Sequence, residues 1–181
     1  MLGVCGDERD LPLLEEMLRS SDRKAKAGLD MVISCYLILK GEAGLPLIEE
    51  LCLANPKADY ADTYAAIMAV RLQASDFAAI DKKALVKSLY PMLDRPDLAD
   101  LVIPDLAKWQ DWTVIDRLFD LYKSADPKNT WVRVPVVNYL RSCPLPQAKK
   151  LLEECERIDP AAVKRAKTFF PTPPAVENTV G

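Results

Sequence analysis

Two adjacent carboxylate pairs, Glu15-Glu16 and Glu49-Glu50, have the residue type that acid–base chemistry requires. Neighbours on a helix point about 100° apart, so neither pair forms a proton-sharing dyad by itself and solvent exposure is the plain expectation. The five cysteines, Cys5, Cys35, Cys52, Cys143 and Cys155, make no CxxC pair and no metal-ligand spacing. Cys35 lies in an apolar helical run and Cys52 follows one, which predicts buried, inert thiols and weakly favours a reducing compartment such as the cytoplasm. The chain has no histidine, which removes His-ligated zinc, Ser-His and Cys-His nucleophile pairs, and the commonest general base. No catalytic set and no cofactor is implied.

The charge balance points away from nucleic acid. Lys and Arg number 24 against 27 Asp and Glu, well mixed, for a net charge of −3. A binder of polyanions or anionic membranes usually carries a basic surplus or stripe. The apolar run Met31–Leu39 is about half of what a membrane span needs and reads as a buried helix, and MLGVCGDERD lacks the basic and apolar regions of a secretory signal. The chain as given is expected to be soluble.

The elements that must position these residues are helices. Half the residues are apolar and only six are Gly, a composition suited to packed helices over one continuous core. The first helix should begin at Asp10 as N-cap, with Pro12 in its first turn and an apolar stripe of Leu13, Leu14, Met17 and Leu18. A second should run from about Arg23 to Leu39, stopped by Gly41. Then Leu45-Pro46-Leu47-Ile48-Glu49-Glu50-Leu51 repeats the pattern of Leu11 to Met17 thirty-four residues later. Further helices are expected over Tyr60–Leu72, followed by a loop QASDFAAID; over Lys82–Leu93; over Arg95–Gln110, bent or interrupted at Pro104; and from Asp111 as cap through Tyr122. The clearest unit is Thr130–Arg141 with Pro146–Arg157, after which Asp159 and Pro160 start a last helix. Leu85 and Leu89 take the places of Leu47 and Leu51, and Val114 with Leu118 and then Leu152 continue the series. Residues 171 to 181, with three prolines in four positions, read as an extended linker.

Helix pairs at spacings of 34, 38, 29 and 34 residues fit a repeat of variable length. They resemble the short HEAT repeats of the phycobilisome-lyase type, with Val132-Arg133, Val136-Val137 and Tyr139-Leu140 in the first-helix positions. Leu2-Gly3, Gly6-Asp7 and Leu11-Pro12 match the second half of such a unit. The chain is similar to HEAT domains of uncharacterised bacterial proteins, with tetratricopeptide repeats ranked second. The resemblance implies an all-α, right-handed α-solenoid of about five helix pairs over residues 1 to 170, beginning mid-repeat as a piece of a longer protein. It implies no activity.

In such stacks the second helices line the concave face. The resemblance therefore places Glu15, Glu16, Glu49, Glu50, Lys87, Asp116, Arg117, Asp120, Lys149, Lys150 and Glu153 where a protein or peptide partner would dock, acidic at one end and basic at the other. A charged face that is merely solvated is the bland alternative. Trp109, Trp112 and Trp131 are expected to pack between repeats, or to anchor an interface if exposed. The function expected is a non-catalytic scaffold or interaction module. The rival is a HEAT-like DNA glycosylase, for which Trp112 and Asp116 would share a helix face near Arg117 and Arg133. The acidic balance opposes it, and iron-binding HEAT hydroxylases would need the missing histidines.

Overall fold

The computed structural model describes residues 6–22, 27–77, 79–126 and 131–169. Among them every regular element is helical, so the chain is all-α as expected. It folds as two compact units, Met1–Asp94 and Arg95–Gly181, a division that falls inside the stretch expected to form one row. The linker read over residues 171–181, the match at Leu2-Gly3 and the helix start at Arg23 lie outside the described residues.

In unit 1, α1 (Leu11–Arg19) carries Pro12 in its first turn, as expected. The start is built differently from the expectation. Asp10 makes no side-chain cap of α1. Asp7 caps a preceding 3-10 turn, Glu8–Asp10, and Asp10 returns the bond to the Asp7 amide in a reciprocal box. Of the apolar stripe, Leu14 and Leu18 are buried and Leu13 is exposed.

The second helix, α2 (Leu29–Lys40), ends at Gly41, whose φ of 66° is the left-handed conformation that suits glycine. A 3-10 turn, Gly41–Gly44, leads into α3 (Leu45–Ile48), which widens into a π-helical turn over Glu49–Leu53. The Leu11 and Leu45 segments are thus built alike, each a 3-10 turn followed by a helix with Pro in its first turn. Ile48 and Cys52 are buried at the places of Leu14 and Leu18. The run Leu29–Leu53 is long and apolar enough to cross a membrane by length and composition. Here Gly41 breaks it in two, and Ile33, Leu37, Ile48 and Leu53 face the core of unit 1.

The helix α4 (Tyr60–Asp76) continues through the QASD stretch expected to be loop. Gln73 holds that last turn, because its side-chain amide is buried and donates to the Ser34 carbonyl at 3.1 Å. The expected Lys82–Leu93 helix is shorter. Asp81 caps α5 (Lys82–Ser88), and a 3-10 turn, Tyr90–Asp94, follows, Pro91 having no amide to continue the α ladder. Leu85 and Leu89 are fully buried, so by burial they pair with Ile48 and Cys52, one place along from the register read in the sequence. Within unit 1, α2 packs on α4 and α3 packs on α5.

In unit 2 the helix expected over 95–110, bent or interrupted at Pro104, is interrupted just before that proline. A turn and a 3-10 stretch, Ala99–Leu101, precede α6 (Ile103–Lys108), where Pro104 sits in the first turn and starts the helix. A proline there sacrifices no intrahelical bond, since first-turn amides have no partner. Asp111 accepts from the Thr113 amide and hydroxyl in the loop, so it caps a turn and α7 begins later (Ile115–Ser124). Then come α8 (Arg133–Ser142), α9 (Pro146–Ile158) and α10 (Pro160–Phe169). Asp159 caps α10 through the Ala162 amide at 2.9 Å, as expected. Within unit 2, α6 and α10 both pack on α8, and α7 packs on α9.

Candidate functional site

The two acidic pairs expected to line a groove, Glu15-Glu16 and Glu49-Glu50, lie in unit 1, where one carboxylate of each is half-buried. Glu15 is half-buried and accepts from the Tyr36 hydroxyl at 3.2 Å, with Lys40 Nζ at 3.9 Å. Burial, and then the charge and hydrogen bond of Glu15, push the Tyr36 hydroxyl up to about 12. Glu16, about 100° round the helix, is exposed. The second pair divides the same way. Glu49 is half-buried, and loss of hydration raises its carboxyl above the usual range. Glu50 is exposed and reaches Arg19 at 3.8 Å. Both pairs therefore split between a packed and a solvated carboxylate, which leaves no dyad for proton exchange.

The Arg19–Glu50 pair links the end of α1 to the π-helical turn after α3, beside an open pocket of about 270 Å3 lined by Leu18, Arg19, Ile48, Cys52, Asn55 and Asp62, among others. Its lining mixes both charges with apolar groups. Among the described residues no cluster of three or more potential metal ligands occurs.

Unit 2 holds the tryptophans and the basic pair. Trp109 ends α6 and is half-buried. Trp112 lies in the loop before α7 and packs edge-on against the buried Tyr139 ring, 5.1 Å between centroids. The expectation that Trp112 and Asp116 share a helix face is corrected, since only Asp116 is helical. Asp116 is exposed and accepts from Gln147 of α9, Arg117 is half-buried, and Asp120 pairs with Lys123 at 2.8 Å. Lys149 and Lys150 are exposed on α9, on either side of a line through buried Ala148 and Cys155. Cys52, Cys143 and Cys155 are buried and unbridged, and Cys35 is partly so. Burial, then the charge of Glu154, pushes the Cys155 thiol up to about 12, which makes it inert at neutral pH.

The exposed aromatic groups are ones the sequence reading placed elsewhere or passed over. Trp131, expected to pack between repeats, is 77% exposed. On α4, Tyr60 and Tyr64 are 57% and 40% exposed, stacked at 6.0 Å, with Met68 one turn on at 38%. Their spacing of four along the helix was the available signal. Compared with protein-family models, curated proteins and solved structures, the chain matches none.

Proposed function

We propose that the chain is a HEAT-like repeat scaffold, a right-handed α-solenoid of about five helix pairs that binds a protein or peptide partner along the face of its second helices and carries out no reaction. The observation that carries this reading is alternate-helix packing within each unit. In unit 1, α2 meets α4 and α3 meets α5; in unit 2, α8 meets α6 and α10, and α7 meets α9. Helix pairs stacked in series pack this way, first helix on first and second on second. The like construction of the Leu11 and Leu45 segments adds to it.

The candidate docking residues are Glu16 and Glu50 on unit 1 and Asp116, Lys149 and Lys150 on unit 2, each group taken by itself, with charge setting register and on-rate more than affinity. The glycosylase alternative draws less support, since Trp112 lies outside the helix that carries Asp116 and the chain has no basic surplus to neutralise phosphates.

Two measurements test the proposal. Small-angle scattering of the full chain should give a radius of gyration clearly above the roughly 16 Å expected of a globule of this length; a value at or below that removes the row. Interaction partners recovered with the chain should be lost on combining Glu16→Lys, Glu50→Lys, Lys149→Glu and Lys150→Glu. Partners retained in full by that variant would place the binding surface elsewhere.

A further inference from the structure

The outer stripe of α4 is the largest group of exposed aromatic side chains in unit 1. Tyr60, Tyr64 and Met68 recur every four residues on one side of the helix, and the two rings lie nearly parallel at 11°. Neither tyrosine hydroxyl has a hydrogen-bond partner among the described residues. The Arg71 guanidinium continues the line, with Nη1 3.6 Å from Met68 Sδ. Ring faces flanked by unengaged hydroxyl donors suit one ligand chemistry particularly well. A polyproline II segment offers flat pyrrolidine rings to the aromatics and carbonyls with no internal partner to the hydroxyls.

The chain itself contains a sequence of the kind such ligands use. Pro171-Thr172-Pro173-Pro174 is a PxxP sequence, preceded by three cations, Lys164, Arg165 and Lys167, and followed by Glu177. The dimensions agree. From Tyr60 to Met68 the stripe runs about 12 Å at 1.5 Å per residue, and one turn of any polyproline II ligand covers about 9 Å at 3.1 Å per residue. Charge agrees as well: unit 1 contains fifteen carboxylates against eleven cations, and Asp59 adjoins Tyr60 at one end of the stripe while Arg71 closes the other. The basic residues ahead of Pro171 would lie toward Asp59 and Glu177 toward Arg71.

We propose that the Tyr60–Tyr64–Met68 face docks the Pro171–Pro174 segment of a second copy of this chain. The contact is heterologous, a segment near one end of the chain meeting a face nearer the other, so it links copies in series and strengthens with concentration. It goes beyond the scaffold reading and does not use the second-helix face, so the surface variant above should leave it intact.

The test uses the full chain. Sedimentation velocity over two decades of concentration should show mass rising with concentration. Association should weaken by at least about tenfold in Tyr60→Ala/Tyr64→Ala and equally in Pro171→Ala/Pro173→Ala/Pro174→Ala, with thermal midpoints unchanged because these tyrosine side chains are exposed. If the tyrosine variant unfolds, the proline variant decides alone. A photoreactive phenylalanine replacing Tyr64, in a mixture of isotopically heavy and light copies, should give heavy–light cross-links mapping to residues 170–181. A chain monomeric throughout, cross-links confined to one isotope or mapping elsewhere, or association indifferent to the prolines would each overturn the proposal.

Discussion

Arg133 Nη1 and Asp159 Oδ2 meet at 2.9 Å, with the two side chains only 10% and 15% exposed. The same guanidinium donates from Nη2 to the Ala125 carbonyl at 3.2 Å and lies over the Tyr122 ring, while Asp159 also caps α10 through the Ala162 amide. One ion pair thus joins the start of α8, the end of α7 and the first turn of α10. A planar fork with fixed donors does this where a lysine could not.

Removing either partner leaves the other charge largely buried, so Arg133→Ala or Asp159→Ala should cost about 3 kcal/mol, and Arg133→Lys should recover little of it. Burial works to raise the Asp159 carboxyl, but the Ala162 amide and the Arg133 guanidinium overcome it and hold it below the usual range. A carboxyl depressed on folding adds stability above its unfolded value near 4, and that stability is lost as pH falls through the lower folded value. Denaturant titrations from pH 7 down to pH 3 should show this acid loss in the parent chain and a flatter profile in Asp159→Asn.

Two glycines fail in different ways. A Cβ added at Gly44 would meet Tyr36 Cε1 at 2.9 Å and Leu37 Cδ2 at 3.2 Å, and Tyr36 is held by Glu15. Gly44→Ala should therefore cost about 1–3 kcal/mol by overpacking. At Gly41 nothing lies within 4 Å of an added Cβ, but φ is +66°; Gly41→Ala should cost about 1–2 kcal/mol from backbone strain alone. Thermal melts of the double variant with a smaller residue at Tyr36 should rescue Gly44→Ala in part and Gly41→Ala not at all.

The tryptophans separate by burial. Trp131→Ala should change stability by less than about 0.5 kcal/mol and remove most of the iodide-quenchable fluorescence. Trp112→Ala should cost about 2 kcal/mol, from lost area and the edge-to-face contact with Tyr139. Equal stability losses in the two variants would contradict this placement.

Thiol labelling should follow exposure and ionisation together. Among the described cysteines, Cys35 should react with maleimide first, while Cys155 should react only at the rate of unfolding. The Tyr122 hydroxyl donates to the Cys155 carbonyl at 3.0 Å, so Tyr122→Phe should cost about 1 kcal/mol and speed Cys155 labelling accordingly. Prompt labelling of Cys155 in the folded parent would be inconsistent with its burial.

Local signals were legible where a few consecutive residues decide the outcome. Asp159-Pro160 starts a helix because the carboxylate reaches an amide three residues on and proline lacks the donor that has no partner there. Gly41 ends one because its positive φ strains any residue with a Cβ. Pro104 left a bend and a break both open because the same ring bends a helix interior and opens a helix N-terminus; which occurs depends on where the preceding turn lies. Gln73 was misread because the bond that keeps it helical goes to Ser34, 39 residues away.

The candidate site follows the same division. Residue types and spacings alone determined that the chain is helical, that the Leu11 and Leu45 segments are alike, and that no histidine-based chemistry operates. Only tertiary packing decided that Glu15 and Glu49 turn inward while Glu16 and Glu50 stay in water, that Trp112 is committed to Tyr139, and that Trp131 and the Tyr60–Tyr64 stack are exposed. Helical periodicity states that one face of each helix is covered, whereas the identity of the covering side chain is a contact between residues far apart in the chain, and no local pattern encodes it.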